Sequence, residues 1–454
     1  MDLTDITSGD ETIVAVATPP GRGGVGIVRV SGPLVKNIAE QIIGSLPQPR
    51  IATGATFRDA EREPMDQGLA LFFAGPASFT GEDVLELHGH GGPVPMDMLV
   101  QRCVELGARV AQPGEFSKRA FLNDKIDLTQ AEAISDLIDS ASQQAARAAV
   151  RSLSGEFAQR IHELVTSLTE LRMYVEAAID FPEEEIDFLQ DDELTRRVQL
   201  VEQLFIALQQ DAEQGQLLRD GMVLVIAGPP NVGKSSLLNR LAGYDAAIVT
   251  ARPGTTRDVL REDLHIDGMP LRVIDTAGLH ESDDPIEQEG MRRARTAIKT
   301  ADHVLLMSDA ARPETFDLNV AELPAGVPVT RLVNKIDLLE LATETIKPDS
   351  GEHVVFASAM TGEGVDELRK HLSECMGYSS VDGGKVIARR RHLQAIERAF
   401  AHMVIGREAL FEQKAGEIMA EELRLAQQSL GEITGTVTSD DLLGHIFSSF
   451  CIGK

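Results

Sequence analysis

The chain has 454 residues, 43% hydrophobic and 25% charged, which places it among ordinary globular proteins and, at roughly 150 residues per domain, allows about three domains. Its 71 acidic against 43 basic residues leave a formal charge of −28, so the surface repels a phosphate polyanion except at local basic patches, and a broad basic nucleic-acid clamp is disfavoured. Cys103, Cys375 and Cys451 are far apart and show no CxxC or Cys/His spacing, so neither a disulfide framework nor a zinc site is expected, and a reducing compartment fits. Residues 1–10 are acidic and polar, and no run reaches about 18 apolar residues, so no secretory signal and no membrane span are expected; the protein reads as cytoplasmic.

From Thr12 to about Arg119 the text is rich in Gly and Pro and carries short β-type runs, Thr12 to Val16 and Gly26 to Val30, which predicts an α+β domain over 1–122. Gly21, Gly23 and Gly26 satisfy G-x-G-x-x-G, but prolines precede them and Ile27 to Val30 reads as a strand, so the helix that must receive a pyrophosphate is lacking. His88 and His90 read as part of a polar, glycine-rich turn rather than a metal site. From Leu128 to about Ile179 apolar residues recur at helical spacing without a proline. Pro182 interrupts this beside Glu183, Glu184, Glu185 and Asp187, a solvated acidic turn, and helical periodicity resumes through Leu217. Strands and helices then alternate from Val223 to about Met376, and helical text returns after Gly384, opening on Arg389, Arg390 and Arg391, which read as surface charge before an RNA patch. The expectation is an all-α domain, 123–216 and 381–454, interrupted by an inserted α/β domain, 217–380.

Gly228-Pro229-Pro230-Asn231-Val232-Gly233-Lys234-Ser235 follows the apolar run Val223 to Ala227 and precedes the helical Ser236-Leu237-Leu238-Asn239, the strand-loop-helix context a phosphate loop requires. The glycines let backbone amides turn inward, Lys234 reaches the β- and γ-phosphates, and the Ser235 hydroxyl is placed to ligate Mg2+. Asp275-Thr276-Ala277-Gly278 ends a second strand, where a carboxylate can hold Mg2+ through water and a glycine amide can sense the γ-phosphate. Asn334-Lys335-Ile336-Asp337 follows a third. The Asp337 carboxylate can accept from guanine N1–H and its 2-amino group; adenine offers neither donor, so the base selected is guanine. Ser358-Ala359-Met360 is placed to meet the base with its backbone.

Four motifs in one order at four strand ends predict a Ras-like GTPase domain, with Thr250, Ala251, Arg252, Pro253, Gly254, Thr255 and Thr256 as its first switch. Leu279 stands where Ras-like enzymes carry a water-orienting Gln, so another residue or a cation must assist hydrolysis.

Beyond the GTPase motifs the chain carries Ala17-Thr18-Pro19-Pro20-Gly21-Arg22-Gly23-Gly24-Val25-Gly26, Phe79-Thr80-Gly81-Glu82-Asp83, His88-Gly89-His90-Gly91-Gly92, Pro113-Gly114-Glu115-Phe116, Phe121-Leu122-Asn123-Asp124-Lys125, Asp180-Phe181-Pro182-Glu183-Glu184-Glu185 and a terminal Cys451-Ile452-Gly453-Lys454. With these it resembles, over essentially its whole length, the bacterial tRNA modification GTPases of the MnmE (TrmE) family, within the TrmE-Era-EngA-YihA-Septin-like GTPases. The resemblance implies a K+-stimulated GTPase that acts as a homodimer with a flavoprotein, MnmG, in a heterotetramer. It further implies an aminomethyl or carboxymethylaminomethyl group placed on carbon 5 of the wobble uridine of certain tRNAs, with 5-formyl- or methylene-tetrahydrofolate as one-carbon donor.

By the same resemblance Asn231, Thr250, Arg252 and Thr255 would bind K+, Ser235 and Thr256 Mg2+, and Ser236 and Gly254 would line the nucleotide. Glu287 aligns with a catalytic glutamate in place of Leu279, although Asp283, Asp284 and Glu289 are rivals in the residues alone. Arg29, Glu86, Lys125 and Lys454 would hold the folate, Cys451 would sit nearby with a catalytic role, and Lys454 would reach the pocket by a tail folded back across a dimer interface. Pro229 and Met360 depart from the family pattern at positions whose side chains do no chemistry. The competing function is a regulatory GTP switch in ribosome assembly, whose members carry a basic RNA-binding domain where this chain has an acidic helical one. With a charge of −28, tRNA would be held mainly by the flavoprotein.

Overall fold

The computed structural model describes residues 11–140, 142–180, 192–229, 231–244, 261–266, 269–275, 301–312, 327–339, 345–346, 353–375, 386–437 and 439–453. They form two compact units: Met1–Ser135, Leu153–Val201 and Arg398–Lys454 make one, Asp136–Ser152 and Glu202–Glu397 the other.

The first unit begins with β1 (Ile13–Val16), β2 (Gly23–Ser31), β3 (Thr53–Arg58), β4 (Pro64–Phe73), β5 (Val84–Gly91) and β6 (Arg109–Val110), in the order β3-β4-β5-β2-β1-β6. Helices α1 (Val35–Ile43), α2 (Pro93–Glu105) and α3 (Glu115–Leu122) accompany the sheet. Val35, Ile38, Ala39 and Ile42 repeat at helical spacing, and that stripe of α1 is the one buried. It joins a core with Val28, Val30, Leu85, Leu87 and Leu99. Gly23 to Ser31 is a strand, as its β-type text predicts, so the glycine pattern there serves a sheet and not a dinucleotide. His88 and His90, expected in a turn, instead lie within β5. Strand alternation puts them on one face with Glu86, and His88 Nε2 meets Glu86 Oε2 at 3.1 Å while His90 Nδ1 meets Asp66 Oδ1 at 2.7 Å.

Helices follow: α4 (Leu128–Ile138), α5 (Gln143–Leu153), α6 (Glu156–Asp180) and α7 (Asp192–Asp220), then, after the α/β segment, α10 (Arg390–Gln413), α11 (Gly416–Thr434) and α12 (Asp440–Ser448). The segments of the first unit flanking the insertion pack together, as expected. Gln427 on α11 accepts from Arg172 Nη1 and donates to Thr169 Oγ1 on α6, both at 2.8 Å.

The second unit holds β7 (Met222–Ala227), β8 (Arg261–Ile266), β9 (Met269–Asp275), β10 (His303–Asp309), β11 (Val329–Asn334), β12 (Thr345–Ile346) and β13 (His353–Phe356), with α8 (Lys234–Tyr244) and α9 (Val365–Cys375). The sheet order is β12-β13-β11-β10-β7-β9-β8. Strands β7, β9, β10, β11 and β13 are parallel, and only β8 and β12 run against their neighbours. The apolar run of β7, with Leu224, Val225, Ile226 and Ala227 all buried, is what a central parallel strand covered on both faces demands. Asp136 ties the helical ends of this unit. Its carboxylate accepts from Arg219 Nε and Arg389 Nη2, each at 2.8 Å, so Arg389, read from the sequence as surface charge, is a partly buried structural cation.

Candidate functional site

Strand β7 lies between β9 and β10, where the winding of the sheet reverses, and an open α/β sheet binds ligands at that switch, outside the carboxyl ends of its strands. The phosphate loop leaves β7 there. Gly233 has φ 105°, and a β-carbon on it would lie 2.4 Å from Asn334 Nδ2, so no other residue fits. Asn231 takes φ 63°, a left-handed conformation that Asn tolerates better than most. Lys234 opens α8, and its buried Nζ donates to the carbonyls of Gly228 at 2.8 Å and Pro229 at 3.1 Å, which arches the ammonium over the loop. Ser235 and Ser236 follow, exposed in the first turn of that helix, whose free amides and dipole favour an anion.

The guanine-side motifs converge on the same loop. Asn334, 2% exposed, donates from Nδ2 to the Val232 carbonyl at 2.7 Å and accepts at Oδ1 from the Ala359 amide at 2.9 Å. Lys335, itself at φ 66°, donates to the Asn231 carbonyl at 2.9 Å and to Asp309 Oδ2 at 2.8 Å. The hydrogen bond from Lys335 holds the Asp309 carboxyl below its ordinary range. Asp337, in the short 3-10 turn Ile336–Leu338, is exposed and carries its carboxylate outward. Ser358 is buried: its carbonyl accepts from the Gly362 amide and its hydroxyl from the Thr361 amide. Arg240 on α8 binds the carbonyls of Ala359 and Met360, which leaves the Met360 side chain 82% exposed. Asp309 and Arg240 complete this framework, and neither stands out in the sequence.

Asp275 ends β9. Thr250, Ala251, Arg252, Pro253, Gly254, Thr255, Thr256, Thr276, Ala277, Gly278 and Glu287 lie outside the described residues, as do the acidic run at Glu183 to Glu185 and Lys454.

In the first unit Arg29 and Glu86 face each other in register across β2 and β5. Arg29 Nε and Nη2 reach Glu86 Oε1 at 2.9 and 2.8 Å, and the guanidinium carbon lies 5.8 Å from the ring centres of both Phe79 and Phe116. Such stacking orients a cation that keeps some exposure. Lys125, exposed just past α3, faces the Phe79–Asp83 segment: a β-carbon on Gly81 would lie 3.4 Å from its Cδ. Beneath lies a charged network, with Arg119 (3% exposed) bound to Glu82 and Glu115, Glu115 also bound to Arg109, and Ser31 bound to Glu82.

Residues 440–453 of the C-terminal tail pack within this unit. Leu443, Ile446, Phe447 and Phe450 pack with Leu128 and Ala131, and the Gly114 amide donates to the Cys451 carbonyl at 3.4 Å. Gly114 at φ 66° passes so near that a β-carbon would lie 2.6 Å from the Phe447 carbonyl oxygen. Gly453 is buried against Val16, where a β-carbon would come within 2.3 Å of its carbonyl. Val16 follows Ala15, the register partner of Arg29 on β1, so the tail packs against the same sheet that carries Arg29 and Glu86. Cys451 is exposed, unlike Cys103, whose burial pushes its thiol up to about 12.

Comparison with known proteins matches residues 12–125 to the model described as GTP-binding protein TrmE N-terminus, and residues 128–451 to the MnmE helical domain. The tRNA modification GTPase MnmE of Yersinia pseudotuberculosis serotype IB (strain PB1/+) and that of Sodalis glossinidius (strain morsitans) are each 57% identical over 451 residues, 98% of this chain and 99% of theirs. Among solved structures, the G domain of the T. maritima FeoB iron transporter aligns with 34% of this chain and 98% of its own at 28% identity, with a TM-score of 0.26.

Proposed function

This chain belongs to the MnmE family of tRNA modification GTPases, and from that premise we propose that it is a K+-stimulated GTPase that modifies carbon 5 of the wobble uridine of certain tRNAs with a tetrahydrofolate one-carbon donor. The observation that carries the reading is the packing of the Cys451 tail, through the Gly114 amide and Val16, onto the domain whose sheet pairs Arg29 with Glu86: a GTPase acting only as a switch has no use for an exposed thiol tethered to a second polar site.

In the GTPase unit Lys234, the loop amides and the start of α8 fit the phosphates, and Asp337 fits guanine. Ser235, with Thr256, would hold Mg2+, which supplies charge neutralisation on the β- and γ-oxygens. Asn231, with Thr250, Arg252 and Thr255, would hold K+, a fixed positive charge of the kind an arginine finger supplies. The exposed, left-handed Asn231 within the loop fits that role. Glu287 would orient water in place of Leu279.

In the first unit the Glu86 carboxylate retains acceptor capacity beyond its bonds to Arg29 and His88, which fits the guanidine-like edge of a pterin. Arg29, Lys125 and Lys454 fit the oxygens of the folate. The bound folate supplies the carbon, and Cys451 acts at the transfer. The chain works as a homodimer with the flavoprotein MnmG, which carries most of the tRNA affinity. No helix among the described residues is long and apolar enough to cross a membrane.

Deleting the gene in its host and measuring tRNA nucleosides by mass spectrometry tests the proposal. Loss of the 5-position modification is the expected result. Unchanged nucleosides with accumulated ribosomal precursors would assign the chain to ribosome assembly instead.

A further inference from the structure

At the amino-terminal edge of the GTPase sheet, side chains from four elements meet. His303 opens β10, Thr330 is second on β11, His353 opens β13, and His371 and Cys375 stand one turn apart on α9. The nucleotide motifs leave the other ends of these strands, and a strand of six or seven residues spans about 20 Å, so the two places are distinct.

His303 Nε2 and His371 Nε2 lie 2.8 and 2.7 Å from Thr330 Oγ1, and His371 Nε2 lies 3.5 Å from Cys375 Sγ. The His353 ring stacks on that of His371 with centroids 4.4 Å apart. Ligand atoms of His303, His371 and Cys375 all fall within 4.8 Å of one another. The hydrogen bonds do not use every atom of this group. A ring nitrogen carries one hydrogen or one lone pair, yet His371 Nε2 faces both a hydroxyl and a sulfur. Among the described residues the buried Nδ1 atoms of His303 and His353 have no hydrogen-bond partner, although His303 is only 2% exposed and groups so buried are normally paired.

We propose that His303, His371 and Cys375 form a binding site for a borderline-soft divalent transition metal, of which zinc is the type. Tetrahedral bonds of about 2.0 Å to nitrogen and about 2.3 Å to sulfur separate two such ligands by roughly 3.5 Å, which is the His371 to Cys375 spacing. Their i, i+4 placement on α9 turns both to one face. The imidazoles of His303 and His371 are both buried, and such a ring ligates through an uncharged nitrogen. Nitrogen and sulfur donors disfavour K+ and Mg2+, which take oxygen, so this is no second copy of the GTPase cation sites. A cavity of about 260 Å³ lined by Glu213, Met222, Asp302 and Cys375 gives entry, and water from it can complete the coordination. As the metal–sulfur bond forms, the thiol proton leaves to solvent, and the bound ion pins the end of α9 to β10.

Cobalt(II) titration of the metal-stripped full-length chain tests this. The expected result is one Co2+ per chain with a thiolate-to-cobalt charge-transfer band, bleached by Zn2+ and lost in Cys375→Ser. Absence of the band at one equivalent, or its persistence in Cys375→Ser, would overturn the assignment. Alkylation of Cys375 in the unaltered chain, followed by peptide mass spectrometry, reads the same site without a variant. At least ten-fold slowing by Zn2+ is expected, and an unchanged rate refutes the site.

Discussion

The Asn334 side chain is locked onto the phosphate loop through the Val232 carbonyl, 2.7 Å from its Nδ2, while its Oδ1 takes the Ala359 amide. One buried amide thus joins the loop that meets phosphate to the loop that meets the base. Leaving such a buried partner unsatisfied costs about 1–3 kcal/mol per group. Asn334→Ala is therefore expected to weaken GTP and GDP binding at least ten-fold, measured by titration of a fluorescent guanine nucleotide. Affinity within two-fold of the unaltered chain would mean that the loops hold their shape without it.

Asp337 offers acceptors to the two donors of guanine. Asp337→Asn places an amide hydrogen against the 2-amino group, a donor against a donor, whereas xanthine presents a carbonyl there. The variant should lose GTP hydrolysis by at least ten-fold and gain activity on xanthosine triphosphate, followed by phosphate release with each nucleotide.

GTP hydrolysis should run several-fold faster in KCl than in NaCl at equal ionic strength, and removing the Asn231 side chain should erase the difference. Since Asn231 sits at φ 63°, Asn231→Ala adds backbone strain while Asn231→Gly does not. Salt dependence that survives in Asn231→Gly would remove Asn231 from the K+ site.

The tail is held through the Cys451 carbonyl and the close fit of Gly453, not through the thiol. Cys451→Ser should leave GTP hydrolysis within two-fold of the unaltered chain and abolish the tRNA modification in complementation assays read by nucleoside mass spectrometry. A matching fall in hydrolysis would make the tail structural.

Desolvation alone would raise the Glu115 carboxyl, but the hydrogen bonds from Arg109, the Gln112 amide and Arg119 outweigh it and hold the group below its ordinary range. A carboxyl depressed in the folded state contributes stability above its unfolded value, near 4.3, and loses it as pH falls through the folded value. Melting temperature should therefore drop as pH falls from about 5 towards 3, and Glu115→Gln should flatten that slope while lowering stability at neutral pH. Breaking such a buried pair costs about 3–5 kcal/mol. A Glu115→Gln curve parallel to that of the unaltered chain would contradict the coupling.

How much of the site was legible beforehand depends on how local its physics is. The phosphate loop could be read because a strand, a glycine turn and a helix start occupy one short stretch, and Gly233, Lys234 and Ser235 act within it. His88 and His90 read as a turn in the sequence because glycines at alternate positions look like turn residues until pairing with β4 supplies the strand. The candidate metal cluster is not legible in the sequence, because one His371 and Cys375 pair alone is not a zinc-site spacing. Nothing in the text announces that His303 lies across from it.

The order of the GTPase motifs, the insertion of an α/β segment into helical text and the acidic balance of the chain follow from the sequence by itself, because periodicity and short-range turn chemistry are written along the backbone. Only the tertiary structure decided which distant residues meet. It laid the Cys451 tail against Gly114 of the same chain, turned Arg389 into a partner of Asp136, and brought His303 to His371 through the register of β10 and β11. Those contacts depend on sheet register and on helix faces that become neighbours only when the core closes, and a side chain's spacing along the chain carries no record of them.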